Sequence, residues 1–462
     1  MITLKTSPYQ HQSDAVKKLL PSKVGALFME MGTGKSRTAM ELIALRQKKI
    51  SNIIWFCPFS IKWALAEELQ KHIADQPDLI HVFSDKTKLS DIPIEKLHIV
   101  GIESVSSSPN VVFCLHKIIS ENSYIVVDES FYIKNPSAKR TIWISELTKN
   151  CRYKLILTGT PIAHSVIDLY AQIKFLSRKI FGYSSYYAFS KNHVEIIEED
   201  WGYSKEARNT EYLAARLEPY VYQITKEECL DLPDKVYQPH YFDMSFEQRE
   251  GYNLAKDELL FNLDVDDFDY KSILQLFTVL QQIVCGFRYH KEKVETFENN
   301  RLKVLIDVLN YIPEDKKIII FCKYRYDIQA ISEALSEEKI SLYHGGLKEK
   351  PRKRELKTFR SESRIFLSTI GTGGHGLTLN EAPYTIFYNN TFKYTDRVQA
   401  EDRNHRIGQE VSPNYIDIIC NDSIDKKIER SFELKSDVVN LFKKQVKQAD
   451  DIEKRESMLE TL

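Results

Sequence analysis

Short apolar runs recur through the first part of the chain: Ala26–Met29, Ile53–Cys57, Ile99–Ile102, Tyr124–Val127 and Leu155–Leu157. Each is β-branched or aromatic in character and gives way to turn or polar residues. Between them lie segments with helical periodicity, such as Lys35–Lys48 and Ile61–His72. Strands that alternate with helices predict a parallel sheet covered on both faces. The pattern breaks after about Arg178. From there to Asn300 the chain is rich in tyrosine and charge and is punctuated by Pro219, Pro233 and Pro239. Gln248–Leu263 and Tyr270–Val284 read as helices, with an acidic loop at Asp264–Asp269 between them. The alternation resumes with strand patterns at Ile318–Cys322, Ser341–Tyr343, Ile365–Ser368, Thr385–Asn389 and Asn414–Ile419. Helical patterns at Tyr326–Glu337 and Lys350–Arg360 lie between these strands. Ile424–Leu462 is a mixed-charge amphipathic helical pattern.

The expected organisation is an α/β fold of two parallel-sheet domains in tandem with helical insertions. The first domain covers residues 1–178. Helical protrusions and a linker follow at 179–300, a second domain at 301–425, and a C-terminal helical brace at 426–462. A length of 462 residues suits this division better than a single core.

Composition narrows the function classes. With 64 basic and 65 acidic residues the net charge is −1, so nucleic-acid binding would need a local basic surface. The seven cysteines stand at 57, 114, 151, 229, 285, 322 and 420 without a Cys-x-x-Cys pair. That spacing argues against a zinc site and for reduced, mostly buried thiols in a cytoplasmic protein. Met1–Gln12 lacks the apolar core of a signal peptide, and no apolar run is long enough to span a bilayer. Asp264–Asp269 lacks the glycine and spacing of a calcium loop. The tyrosines of Gly182–Phe189 read as core or interface packing residues, with stacking on bases as the alternative.

Four motifs carry chemistry. Met31-Gly32-Thr33-Gly34-Lys35-Ser36 follows a strand and opens a helix. Its glycines let backbone N–H groups turn onto phosphates, Lys35 suits the β- and γ-phosphates, and Ser36 suits Mg²⁺. The strict spacing wants a glycine where Met29 stands. Tyr124–Val127 ends in Asp128-Glu129, with Asp128 placed for Mg²⁺ and Glu129 as the base that polarises water. Thr158-Gly159-Thr160 stands at another strand end, where hydroxyls can relay between a nucleotide and a bound strand. Far downstream, Gln399–Gln409 holds Arg403 and Arg406, three apart and expected on one helical face. Arginines of this kind neutralise charge in phosphoryl transfer. The glycine-dense Ser368–Leu377, which includes Gly374, permits close backbone approach to a ligand.

The set resembles a superfamily 2 helicase motor, most closely the SNF2 (Swi2/Snf2) branch. Tyr9-Gln10-His11-Gln12 resembles the adenine-reading motif, with Gln12 as the base contact. Glu30–Ser36 resembles motif I, Pro58–Trp63 motif Ia, and Asp128-Glu129 motif II with Ile133–Asn135 behind it. Leu157–Ile162 resembles motif III. Ile318–Cys322 and Tyr343–Gly346 resemble the opening of the second motor domain, and Ser368–Leu377 resembles motif V. Arg403–Gln409, ending His-Arg-Ile-Gly-Gln, resembles motif VI. The resemblance spans Gln10 to Gln409 with the motifs in family order.

It implies two RecA-like domains with ATP and Mg²⁺ between them and movement along duplex DNA, often without strand separation. ATP contacts fall on Gln12, Met31–Ser36 and Gly374, coupling on Thr158, Gly159, Thr160 and Gln399, and DNA contacts on Ser60, Lys62, Ser104, His344, Thr369 and Lys393. The family's Asp-Glu-Ala-His becomes Asp-Glu-Ser130-Phe131, and its Trp-Asn-Pro element becomes Phe392-Lys393-Tyr394. The chain shows no accessory module and reads as a bare motor. That suggests a bacterial or phage setting in replication, recombination or repair, in the cytoplasm with the nucleoid. Branched or single-stranded DNA are possible substrates. A strand-separating helicase is one alternative. An ATP-switched DNA-binding recruitment module with slow turnover is another, of a different class.

Overall fold

A computed structural model describes residues 2–74, 76, 78–93, 96–162, 165–199, 202–261, 270–290, 293–373, 377–439 and 441. The chain divides into two units, Met1–Asp231 and Leu232–Leu462.

The first unit is built on a seven-stranded sheet. Its strands are β1 (Val24–Met29), β2 (Ile53–Cys57), β3 (Ile80–Val82), β4 (Leu97–Gly101), β5 (Tyr124–Asp128) and β6 (Tyr153–Leu157), and it is completed by a later strand. A hairpin, β7 (Val194–Glu199) with β8 (Gly202–Ala207), precedes that strand, β9 (Val221–Ile224). The order is β3-β4-β2-β5-β6-β1-β9, and every pairing in it is parallel. β2, β4, β5 and β6 are buried at every residue, because helices cover both faces of the sheet. One face packs Phe28, Phe56 and Ile125, and the other packs Leu27, Trp55 and Tyr124. This alternation follows from the two-residue period of a strand. The order also brings the carboxyl ends of β5, β6 and β1 side by side, with Asp128 level with Leu157 and Leu157 level with Leu27.

The second unit has a six-stranded sheet. Its strands are β10 (Val236–Phe242), then, beyond a hairpin of β11 (Phe287–His290) and β12 (Lys293–Thr296), β13 (Ile318–Cys322), β14 (Ile340–Tyr343), β15 (Ile365–Thr369), β16 (Tyr384–Phe387) and β17 (Asn414–Cys420). The order is β10-β17-β16-β13-β15-β14, again all parallel. Helices Phe246–Phe261 and Tyr270–Val284 belong to this unit. Both sheets have the doubly covered parallel build expected of RecA-like domains.

The stretch 179–300 is less helical than its composition suggested. It holds both hairpins, and it supplies the edge strands β9 and β10 to the two sheets. Their sequences, Val-Tyr-Gln-Ile and Val-Tyr-Gln-Pro-His-Tyr-Phe, lack the apolar density of a central strand, since edge strands stay partly exposed. Pro239 is tolerated in β10 because the strand has a neighbour on one side only. Asp264–Asp269 lies outside the described residues. So does most of the stretch 426–462 beyond the helix Ile424–Glu433.

All seven cysteines are unpaired, and six of them are buried. No helix among the described residues is long and apolar enough to cross a membrane.

Candidate nucleotide site

The phosphate loop leaves β1 and enters the helix Lys35–Arg46. Gly32 and Gly34 both adopt left-handed backbone, with φ of 81° and 88°. At these positions an L side chain would be strained. Lys35 Nζ donates to the carbonyls of Met29, at 3.0 Å, and Glu30, at 3.4 Å. Its charge therefore stands over the loop on main-chain oxygen alone among the bonds it makes. Thr33 Oγ1 closes the loop onto the Glu30 carbonyl at 2.8 Å.

Residues before the loop brace it. His11 Nε2 donates to the Thr33 carbonyl at 2.8 Å, and Gln12 Nε2 donates to the same oxygen at 3.1 Å. The Gln12 carbonyl oxygen accepts from the Tyr9 N–H at 3.1 Å. Gln12 is only 2% exposed, and its amide is committed to backbone at both ends. It acts here as a clamp on the loop rather than as an outward-facing base reader. On the far side, the Glu30 carboxylate accepts from the Lys226 N–H at 2.7 Å.

Asp128 ends β5 and is buried. Burial and the adjacent Glu129 push its carboxyl up to about 7, while Lys35 pulls the other way. A buried carboxyl under the influence of a lysine and a buried serine hydroxyl, that of Ser36 at the start of the helix after the loop, are oxygen donors of the kind a hard cation takes. Ser36 and Asp128 therefore fit Mg²⁺. Glu129 is one of four non-glycine residues described with positive φ, at 48°. Such backbone is costly and concentrates at functional positions.

The third strand end closes the group. Thr158 is buried, and its Oγ1 accepts from the Thr160 N–H at 3.1 Å, making a capped turn. Gly159 packs against the phosphate loop so closely that a Cβ there would lie 3.3 Å from Met31 N. One link had no mark in the motif reading. Ser130 Oγ donates to Gln172 Oε1 at 2.6 Å, and Gln172 Nε2 donates to the carbonyls of Pro161 and Asp168. Gln172 is fully buried in the apolar helix Asp168–Leu176. A lone amide within such a helix is the signal that could have identified it.

In the second unit, Arg403 and Arg406 do not share a helical face. The helix Tyr394–Glu401 ends before them, and successive turns follow. Asn404 fixes those turns by donating to the Ala382 carbonyl and to Thr385 Oγ1, and Gly408 exits them at φ 91°. Both arginines nonetheless donate to the carbonyl of Leu377, Arg403 at 3.2 Å and Arg406 at 3.3 Å. Arg403 is 1% exposed and also donates to the Gln399 carbonyl, whereas Arg406 is half-buried and reaches Thr378 Oγ1. The side-chain oxygen of Gln399 is buried without a partner among the described residues. Gly374 lies outside the described residues.

The expected DNA contacts separate by exposure. Lys62 is only 4% exposed. Its ammonium donates to the Phe83 carbonyl at 2.7 Å and lies over the Phe59 ring, so it is a packing residue and no phosphate contact. Ser104 is likewise buried. Thr369 is buried too, with its hydroxyl on Thr372. Ser60 and Lys393 are exposed and His344 is half-buried. Burial, Arg325 and Arg352 hold the His344 ring below its usual range.

Comparison with known proteins agrees with these motifs. Residues 11–288 match the SNF2-related domain, and residues 300–408 match the helicase conserved C-terminal domain. The DNA annealing helicase and endonuclease ZRANB3 of Bos taurus is 26% identical over 86% of this chain and 37% of that protein. The putative ATP-dependent helicase/translocase YwqA of Bacillus subtilis is 25% identical over 88% of this chain and 45% of that protein. The chain thus spans less than half the length of either relative. A solved Sulfolobus solfataricus SWI2/SNF2 ATPase core in complex with dsDNA is 23% identical, with 98% of this chain and 97% of that one covered, at a TM-score of 0.45. With more than half of its length matched by the SNF2-related domain, the chain belongs to that family.

Proposed function

We propose that the chain is a DNA-dependent ATPase whose hydrolysis drives movement along duplex DNA. The observation that carries the reading is the meeting of Gly32–Ser36, Asp128-Glu129 and Thr158-Gly159 on the neighbouring ends of β1, β5 and β6. In this reading the backbone N–H groups of residues 32–36 and the positive end of the helix Lys35–Arg46 hold the phosphates. Lys35 leaves its carbonyl partners for the β- and γ-phosphates. Ser36 and Asp128 hold Mg²⁺, which when bound neutralises phosphate charge. Glu129 orients and polarises the attacking water. Arg406, from the second unit, serves the same reaction by offsetting charge in the transition state, and the buried Arg403 braces the turns that carry it.

Relatives carry the names annealing helicase and endonuclease, and ATP-dependent helicase/translocase. From them we take only ATP-driven, DNA-directed motor action. A role in replication, recombination or repair, with the protein at the nucleoid, accompanies that reading. Ser60, His344 and Lys393 remain its proposed DNA contacts.

Steady-state ATPase with and without duplex DNA is the test. DNA should raise the wild-type rate at least about tenfold, and Lys35→Ala and Glu129→Gln should abolish it, as loss of a phosphate cradle or a base does. An unstimulated wild type overturns the motor reading. A forked-duplex displacement assay then separates translocation from unwinding.

A further inference from the structure

We propose that the exposed face of the helix Glu349–Ser361 is a backbone-tracking surface for duplex DNA. This rests on the DNA reading above and adds to it a contact that none of the motifs marks. The helix reads Glu-Lys-Pro-Arg-Lys-Arg-Glu-Leu-Lys-Thr-Phe-Arg-Ser, with six basic residues and two acidic ones, in a chain whose net charge is −1. What matters is where the six point. At 3.6 residues per turn, Lys350, Lys353, Arg354, Lys357 and Arg360 fall within an arc of about 120° and run about 15 Å along the axis. All five are exposed. The opposite side is the packed one. Phe359 is fully buried, Leu356 packs against the same apolar cluster, and Glu355 accepts from the Leu342 N–H at 3.3 Å. The sixth cation, Arg352, turns inward, donating to the Gly345 carbonyl and lying over the Tyr343 ring.

The sequence has thus sorted its charges across the helix. One arginine and one glutamate serve the fold, and five cations face out. The ion pairs of Arg354 and Arg360 are weak competitors. Arg354, with its side chain 76% exposed, approaches Glu355 only to 3.3 Å, and Arg360 approaches Glu381 only to 3.6 Å. Exposed pairs of this kind contribute about 0–1 kcal/mol and exchange readily for phosphate.

The chemistry of the face selects its partner. It carries no aromatic or aliphatic side chain to wedge into a membrane or to anchor in a protein pocket, and no Asn or Gln to read adenine. A row of long, exposed cations suits regularly spaced phosphates, and it holds them without sequence preference.

The test uses the full chain and a labelled duplex, with affinity measured by fluorescence anisotropy across a salt series. Neutralising Lys353→Gln, Arg354→Gln and Lys357→Gln together removes up to three phosphate contacts. The slope of log K against log salt should flatten by about 2–3, and low-salt affinity should fall at least about tenfold, equally on two unrelated sequences. Thermal midpoint and DNA-free ATPase should hold. A charge control, Lys48→Gln with Lys49→Gln, should leave the slope unchanged. If the wild type binds duplex DNA and the triple variant binds with the same slope and affinity, the proposal is overturned and the face is left to an acidic protein partner. Equal weakening in the charge control overturns it too. A wild type that fails to bind duplex DNA overturns the motor reading itself, a separate outcome visible in the first arm.

Discussion

The carboxylate of Glu30, first residue of the phosphate loop, accepts a 2.7 Å hydrogen bond from the backbone N–H of Lys226, 196 positions further on. The Glu30 N–H in turn donates to the Ile224 carbonyl at 3.0 Å, extending the pairing of β1 with β9. The loop that would hold phosphate is therefore fastened on both its main chain and its side chain to the segment Ile224–Lys226. Five residues beyond Lys226 the first unit ends, at Asp231. Strain in the loop and the path of the connecting segment are parts of one hydrogen-bonded assembly.

Glu30→Ala should unfasten that segment and leave the Lys226 N–H without its acceptor. The expected cost is about 1–2 kcal/mol, the range for a bond to a charged acceptor that is only partly buried. The Michaelis constant for ATP should rise several-fold. Glu30→Gln keeps an acceptor and should recover most of both. Urea unfolding and ATPase titration read the two effects, and an Ala variant equal to wild type in both would remove any role for the contact.

Gly34→Ala should be far worse than its size suggests. A Cβ there would lie 2.1 Å from Gln12 Nε2, and the backbone φ of 88° is disfavoured for alanine by about 1–2 kcal/mol. Nucleotide binding, measured with a fluorescent ATP analogue, should be lost. Adding Gln12→Ala relieves the clash but not the dihedral, so the double variant should regain part of the stability and little of the binding. Full recovery would show that sterics alone had been at work.

The loop glycines, Asp128-Glu129 and the strands beneath them were legible because each depends on local pattern: an apolar run, a turn, a residue with its chemistry at a strand end. What was not legible depends on partners distant in sequence. Lys62 is polar by type yet buried by the Phe83 carbonyl and the Phe59 ring. β9 and β10 carry edge-strand compositions that read as linker. Arg403 and Arg406 have helical spacing, but Asn404, held 22 and 19 positions back by Ala382 and Thr385, imposes turns. Spacing alone cannot report such a constraint.

Ser130 and Gln172 should behave as one unit. Ser130→Ala leaves the Gln172 side-chain oxygen buried without its donor, and Gln172→Leu strands the Ser130 hydroxyl and takes the side-chain donor from the Pro161 carbonyl. Each should cost about 1–3 kcal/mol, with the double variant well short of the sum. Because Glu129 stands next to Ser130, kcat should fall while the Michaelis constant for ATP holds. Ser130→Thr keeps the hydroxyl and should rescue the rate. Additive stability losses with unchanged kcat would confine the pair to packing.

Asp327 sets a pH dependence in the second unit. It is buried, accepts from Asn389 Nδ2 at 2.7 Å, and burial pushes its carboxyl up to about 7 from an ordinary 3.8. The native state thus keeps this proton to near neutral pH, whereas the unfolded chain releases it near pH 4. Between those values the native state binds more protons, so raising the pH costs native stability, by up to about 1.4 kcal/mol per unit. Asp327→Asn removes that slope. Its urea midpoint should gain on wild type steadily from about pH 5 to about pH 7, the window set by the shift. Parallel pH profiles would mean that the carboxyl is ionised throughout.

The two motif VI arginines share one acceptor and should nonetheless fail differently. Arg403 is sealed, with Nε on the Gln399 carbonyl and a terminal nitrogen on Leu377, so Arg403→Ala takes a donor from both carbonyls, leaving Leu377 only Arg406, and removes a large buried side chain. Its thermal midpoint should drop by several degrees, as a loss of about 2 kcal/mol does in a unit of this size. Arg406 reaches Leu377 and Thr378 from a half-buried position, and its Nε is buried with no partner among the described residues. A guanidinium with an unused donor is the one suited to take up an anion. Arg406→Ala should therefore leave the midpoint near wild type and lower kcat by about 10³, the low end for an arginine that offsets phosphoryl-transfer charge. Arg406→Lys should not restore it, because an ammonium lacks the planar fork. If Arg403→Ala slowed turnover by the same factor with the midpoint intact, the division between a structural and a reacting arginine would be wrong, and both would act on the phosphate.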